Sequence, residues 1–256
     1  MARYRLIAET ADDDGVLCSF DEITGFFGGT REEEGRHRFD ALIPFCIPGD
    51  FMARLLPGEG SETEFVTELE VLGEDASVLG RYYVFPSLTE RAPEGVLLSG
   101  YVWGRPPLPE EEEIWDIWRS GPPRESGLWT RYGPQGRRAW THVALHRHVR
   151  TDGADRPDGS TFELDGTHVT DSAGFFCALG EAINGPGGYY GAGLDSLSDC
   201  MSGGYGTAGR FTLLWTHFEV ARRSWKTRKP DDLAQAPSLE SVLDVLGRGN
   251  VILDHR

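Results

Sequence analysis

From Ala182 to Gly204 the chain runs AINGPGGYYGAGLDSLSDCMSGG, a glycine-rich turn feeding a short helical pattern. Gly185 to Gly188 is the turn, followed by the aromatic pair Tyr189 and Tyr190, and Gly191 and Gly193 lead into LDSLSDCM. Leu194, Leu197 and Met201 recur at i, i+3 and i+7, which predicts one buried helix face. Asp195 and Asp199 are four apart, so they stack one turn above the other on a second face. Like charges at that spacing disfavour an isolated helix. The pair reads either as a solvated acidic face or as a surface built for a positive partner.

The surroundings weight the second possibility. Between Pro157 and Gly209 there is no Lys or Arg, while the span holds Asp158, Glu163, Asp165, Asp171, Glu181, Asp195 and Asp199. The basic residues of this half gather later, at Arg222, Arg223, Lys226, Arg228 and Lys229. Residues 156–256 carry 13 acidic and 9 basic residues, a net of −4, so −12 of the chain's −16 belongs to residues 1–155. The overall charge argues against a nucleic-acid surface as direct partner and leaves a basic protein or no charged partner at all, and because most of it belongs to residues 1–155 it is weak support for a claim about the second half.

Working outward, the second half alternates strands and helices. TFELDGTHV gives a strand and a turn. Asp171 or Thr170 caps a helix whose Phe176, Leu179 and Ile183 share a face and which Gly185 ends. RFTLLW is a continuous apolar run suited to a strand buried on both faces. Thr216-His217-Phe218-Glu219 has the T-x-x-E spacing of a capping box. Ser238 caps LESVLDVLG, and NVILD is a last strand. The order β-α-α-β-α-α-β implies a parallel sheet with right-handed crossovers.

Residues 1–150 read mainly as β. YRLIAE, GVLCSF, FDALIPFCI, FMARLLP, EFVTELEVL, GRYYVFP, GVLLSGYVWG and WTHVALHRHV are strand-like, separated by turn clusters, which predicts an antiparallel sheet, sandwich or barrel. One helix is expected from Pro109, with Glu110 to Glu113 at its positive end and Gly121 as terminator. The stretch 151–159, rich in Gly and Asp, is the expected linker. The domains are then 1–150 and 160–256. The 256-residue length and 39% hydrophobic content accommodate two cores.

No catalytic motif is found. Gly204-x-Gly206-x-x-Gly209 matches a dinucleotide fingerprint but precedes a strand instead of following one, so a flexible loop is expected there. His142, His146 and His148 share one face if WTHVALHRHV is a strand. That face is either solvated or a metal-dependent enzyme site, and the spacing matches no zinc pattern. Cys18, Cys46, Cys177 and Cys200 form no CxxC and sit in apolar surroundings, as free thiols in a reducing compartment would. No apolar run has the length of a membrane span, and the N-terminus lacks the apolar core of a signal peptide. The expectation is a cytoplasmic protein without membrane partner, cofactor or metal.

The segment from about Thr161 to Asp254 resembles the barstar family, intracellular inhibitors of the ribonuclease barnase. The resemblance rests on FELDGTHV, YYGAGLDSLSDCMSG, FTLLWTHFE, ESVLDVL and NVILD, in that order. It implies a three-stranded parallel sheet with flanking helices. It also implies that loop and helix plug a ribonuclease active site. In that role Asp199 stands where the RNA phosphate would, Asp195 adds a carboxylate and Tyr189 covers the catalytic histidine. The implied partner surface is Tyr189, Tyr190, Gly191, Gly193, Leu194, Asp195, Ser198, Asp199, Ser202 and Gly203. The chain departs from the family pattern at Ser198 and Gly204, where aromatic residues are usual, and at Gly193 and Arg248. The implied partner is a small basic ribonuclease of the barnase or related guanyl-specific class. The alternative is an interaction module with a non-nuclease partner, its specificity set by the N-terminal β domain.

Overall fold

Alternating apolar residues build the first half of the chain into one antiparallel sheet. Its strands are β1 (Tyr4–Ala8), β2 (Gly15–Phe20), β3 (Arg31–Glu33), β4 (Arg36–Ile43), β5 (Thr67–Leu72), β6 (Val78–Ala92) and β7 (Gly95–Val102). They lie in the order β2-β1-β5-β6-β7-β4-β3. The computed structural model describes residues 2–8, 15–33, 35–44, 67–148, 155–225, 236–249 and 251–255. The expected strand FMARLLP, parts of FDALIPFCI and EFVTELEVL, Cys46 and residues 226–235 of the basic segment lie outside the described residues.

Strand periodicity sorts the side chains of this sheet onto two faces. Tyr4, Leu6, Leu69, Val71, Tyr82, Val84 and Val102 are buried. The opposite face carries an ion network in which Arg5 and Arg81 both meet Glu70. The buried face receives α1 (Pro109–Arg119), whose Ile114, Trp115 and Trp118 are buried. Burying each such side chain is worth about 1.5–3 kcal/mol.

The acidic first turn of α1 does more than complement the helix dipole. Glu111 is buried and accepts a hydrogen bond from the Tyr82 hydroxyl, which in turn accepts from Trp115 Nε1 at 2.8 Å. Tyr4 Oη donates to Glu112 at 3.3 Å. At the other end, Arg119 donates to the carbonyls of Arg3 and Leu72, tying the helix to β1 and β5.

From Ser160 onward the chain has the expected strand–helix order. Its elements are β8 (Ser160–Asp165), α3 (Ser172–Asn184), α4 (Leu194–Met201), β9 (Phe211–Thr216), α5 (Phe218–Ser224), α6 (Leu239–Arg248) and β10 (Val251–His255). The three strands are parallel in the order β10-β9-β8, with β9 central. Phe211, Leu213 and Trp215 of β9 are buried while the alternate residues are half-buried, so the two faces are covered unequally. Asp171, not Thr170, caps α3, accepting from the Gly174 N–H at 2.8 Å, and Ser238 caps α6 through Ser241 N–H at 3.1 Å.

Three expectations are corrected. WTHVALHRHV is not a strand but most of α2 (Pro134–Arg147). Pro134 occupies the first turn, where its missing N–H costs nothing. Ala139, Trp140, Val143 and Ala144 then form a buried helical stripe, and Leu145 and His146 point outward. On a helix the three histidines part company: His142 is buried, His146 is exposed and His148 is the half-buried cap residue. Thr216 does not cap α5. Its hydroxyl donates to the Leu164 carbonyl, and the helix starts instead from a left-handed His217 at φ 52°.

The division between the compact units, Met1–Gly121 and Pro122–Arg256, falls upstream of the expected 151–159. Residues 122–148 therefore belong with the second unit, and polar contacts show why. Arg137 on α2 meets Asp171 and Thr170 at 2.9 Å each. The Cys177 thiol donates to the Arg137 carbonyl at 3.4 Å. Glu181 accepts from Gly127 N–H at 2.8 Å and Trp129 Nε1 at 3.1 Å, its carboxyl pushed upward by burial.

Removing the carboxylate of Glu111 takes away the acceptor of the buried Tyr82 O–H, while the bond that the hydroxyl accepts from Trp115 Nε1 remains. Glu111→Ala is expected to lower unfolding free energy by about 1–3 kcal/mol in chemical denaturation. Glu111→Gln, which keeps an acceptor, is expected to cost less. Equal stability of Glu111→Ala and the parent would contradict the assignment.

Candidate protein-binding site

The 182–204 stretch folds as a loop, the two-turn helix α4 and a second glycine loop. Leu197 and Cys200 are buried under α4, with Leu194 and Met201 half-buried at its edges. Asp195, Ser198, Asp199 and Ser202 are all exposed. Their spacing of i, i+3, i+4 and i+7 puts them on one helix face. Neither carboxylate makes a hydrogen bond or ion pair through its side chain among the described residues. The entry to the helix is fixed by Ser196, whose Oγ accepts from the N–H groups of Ala192 and Gly193 at 2.9 and 3.0 Å.

The ten residues expected at the site divide by depth. Asp195, Ser198, Asp199 and Ser202 form the exposed face, and Gly193, Leu194 and Gly203 are half-buried beside it. Tyr189, Tyr190 and Gly191 are buried beneath. Tyr190 is a core residue: its hydroxyl is hydrogen-bonded to Thr207 Oγ1 and its ring lies edge-on to Phe211. Gly191 has φ +91°, and an added Cβ would stand 3.0 Å from Leu197 N, so only glycine fits there.

Side chains far apart in sequence hold the two loops. Asn184 Nδ2 donates to the carbonyls of Tyr189 at 2.8 Å and Tyr205 at 2.9 Å. The Asp155 carboxylate accepts from the N–H groups of Gly204 at 2.7 Å and Gly206 at 2.9 Å. The His148 ring stacks on Tyr205 with centroids 4.8 Å apart. The glycine pattern 204–209 is thus a pinned loop. The sequence carried no local signal for Asp155, Asn184 or His148, because each acts on backbone distant along the chain.

Burial sets the acid–base behaviour around α4. The Cys200 thiol is pushed up to about 12, mainly by burial and further by the Asp199 charge. Cys177 and Tyr190 are raised by burial as well. A free thiol titrates near about 8.5. The folded state therefore keeps protons that the unfolded chain loses, so these groups' stabilisation is full below about pH 8.5 and falls as pH rises toward about 12. Thermal melts are expected to show a plateau to about pH 8.5 and a decline above it, shallower in Cys200→Ala. A stability that rises over that range would contradict the burial.

Among the described residues no group of three His, Cys, Asp or Glu side chains is arranged to hold a metal ion. Among them, no helix is long and apolar enough to cross a membrane. No curated protein and no solved structure matches the chain. Residues 160–247 match the family model of Barstar (barnase inhibitor). The match spans β8 to all but the end of α6 and leaves out α2. Over those residues the C-terminal unit, with its parallel sheet and flanking helices, is similar to that family, and β10 lies just beyond the match.

Proposed function

We propose that the C-terminal unit binds a small basic ribonuclease and blocks its active site with the exposed face of α4. The observation that carries this reading is that Asp195 and Asp199, side by side on a pinned helix in a segment matched to a barnase-inhibitor family, have no side-chain partner among the described residues. A carboxylate without an internal partner is free to accept charge-assisted hydrogen bonds from Arg or Lys, and such bonds are strong and directional. Asp199 then takes the place of an RNA phosphate, and Asp195 adds a second carboxylate that pairs with another cation of the enzyme. The pinned loops lower the entropy cost of binding, because the face is ordered beforehand.

In this reading Tyr189, Tyr190 and Gly191 support the face from below, and the half-buried Gly193 and Gly203 allow close backbone approach. The same electrostatics quickens encounter at low salt. No cofactor or metal takes part.

The test is titration of the full chain into assays of small guanyl-specific ribonucleases at low and moderate salt. Stoichiometric inhibition that weakens with salt is expected. Asp199→Ala is expected to raise the half-inhibitory concentration by about 30-fold or more, the equivalent of about 2 kcal/mol. Asp171→Ala removes a helix cap and the Arg137 ion pair. It is expected to lower the melting temperature while leaving inhibition intact below the melt. Full ribonuclease activity throughout, or equal effects of the two substitutions on inhibition, would reject the proposal.

A further inference from the structure

An open groove of about 790 Å³ runs along α4, on the side facing the end of α6. Leu194, Met201 and Val245 form its floor, each half-buried and so presenting apolar surface to solvent. Ser198 and Ser202 line the α4 wall with small side chains. The volume is in the range, about 300–1,000 Å³, that encloses a small ligand or a few large side chains.

The charged residues that line the groove balance in number, Asp158 and Asp195 against Arg210 and Arg248, but they are not all paired with one another. Arg210 is held by Asp158, through both its N–H and its guanidinium, at 2.7 and 3.1 Å. Arg248 is held by Asp244 one turn back on α6. Both cations are thus matched at home. Asp195 lines the same groove and has no such partner among the described residues, and Asp199 follows it on the same helix face. The groove therefore combines apolar side chains with a carboxylate, Asp195, that has no partner among the described residues, and a second, Asp199, next to it on α4.

We infer that this groove is a socket for a large apolar side chain, an aromatic one flanked by Lys or Arg, presented by the protein partner. The aromatic ring covers Leu194, Met201 and Val245, and the flanking cations reach Asp195 and Asp199. The recognition element is hence divided: this chain supplies carboxylates and a cavity, and the partner supplies the anchor. Aromatic anchors filling desolvated pockets carry much of the energy of protein interfaces. The inference rests on the proposed function for the identity of the partner as a basic ribonuclease, while the socket itself rests on the groove.

The experiment is titration of the full chain with acetyl-Lys-Trp-Lys-amide, followed through the methyl NMR signals of Leu194, Met201 and Val245. Acetyl-Lys-Ala-Lys-amide and acetyl-Glu-Trp-Glu-amide serve as controls. Saturable shifts of the three residues are expected, with the Lys-Trp-Lys peptide binding at least ten-fold tighter than either control. Val245→Trp, which fills the floor from α6 without touching the acidic face, is expected to abolish the shifts of Leu194 and Met201. Ser198→Phe fills the groove from the other wall and keeps the test open where Val245→Trp does not fold. Absent shifts, or affinity independent of the Trp or of the Lys residues, would overturn the socket. Ribonuclease inhibition without peptide shifts would discard the socket and leave the proposed function standing. Peptide shifts without inhibition would do the reverse.

Discussion

The geometry around α4 depends on one carboxamide. Asn184 closes α3 and donates to the carbonyls of Tyr189 and Tyr205, which lie on the loops entering and leaving the short helix. A two-turn helix has little stability of its own, since nucleation alone is costly. It persists because Leu197 and Cys200 are buried beneath it and because both loops are fastened. The fastening is tight: a Cβ on Gly206 would lie 2.2 Å from Asn184 Oδ1. Asp155 holds the same loop from the other side through Gly204 and Gly206. An acidic face held this way keeps its carboxylates in place with no cation pairing them among the described residues.

The upstream helix α2 is the main structural addition to the matched segment. It is joined to α3 through the ion pair of Arg137 with Asp171, and the neighbouring residues Gly127 and Trp129 meet Glu181. Its cap residue His148 stacks on Tyr205, so the addition reaches the loop that follows α4. The Barstar-like sheet thus carries an extra layer that supports α3 and touches the rim of the candidate face.

Much of this was legible in the chain. Apolar runs and their caps located β8, β9 and β10 with four helices between them, because each element is short, apolar on one side and bounded by Gly, Ser or Asp. The strands of the N-terminal sheet were legible for the same reason, except β3, whose residues Arg31–Glu33 are all exposed and give no apolar signal. WTHVALHRHV misled because its apolar residues fit a period of two as well as a helical period. The deciding facts were Pro134 upstream and the burial of Ala139 together with Trp140, which alternation forbids. The depth of the site was not legible: spacing puts Tyr190 in the motif but does not say that its hydroxyl is satisfied internally by Thr207. Asp155, Asn184 and His148 were silent because their partners are set by tertiary structure alone.

The central claim is that the α4 carboxylates occupy the position of RNA phosphate in a ribonuclease active site. Calorimetric titration of the full chain into a small guanyl-specific ribonuclease, with and without saturating guanosine 3′-monophosphate, tests it directly. The account predicts that the mononucleotide weakens binding in proportion to its occupancy, as competition for one site requires. Binding of undiminished affinity to the nucleotide-filled enzyme would contradict it.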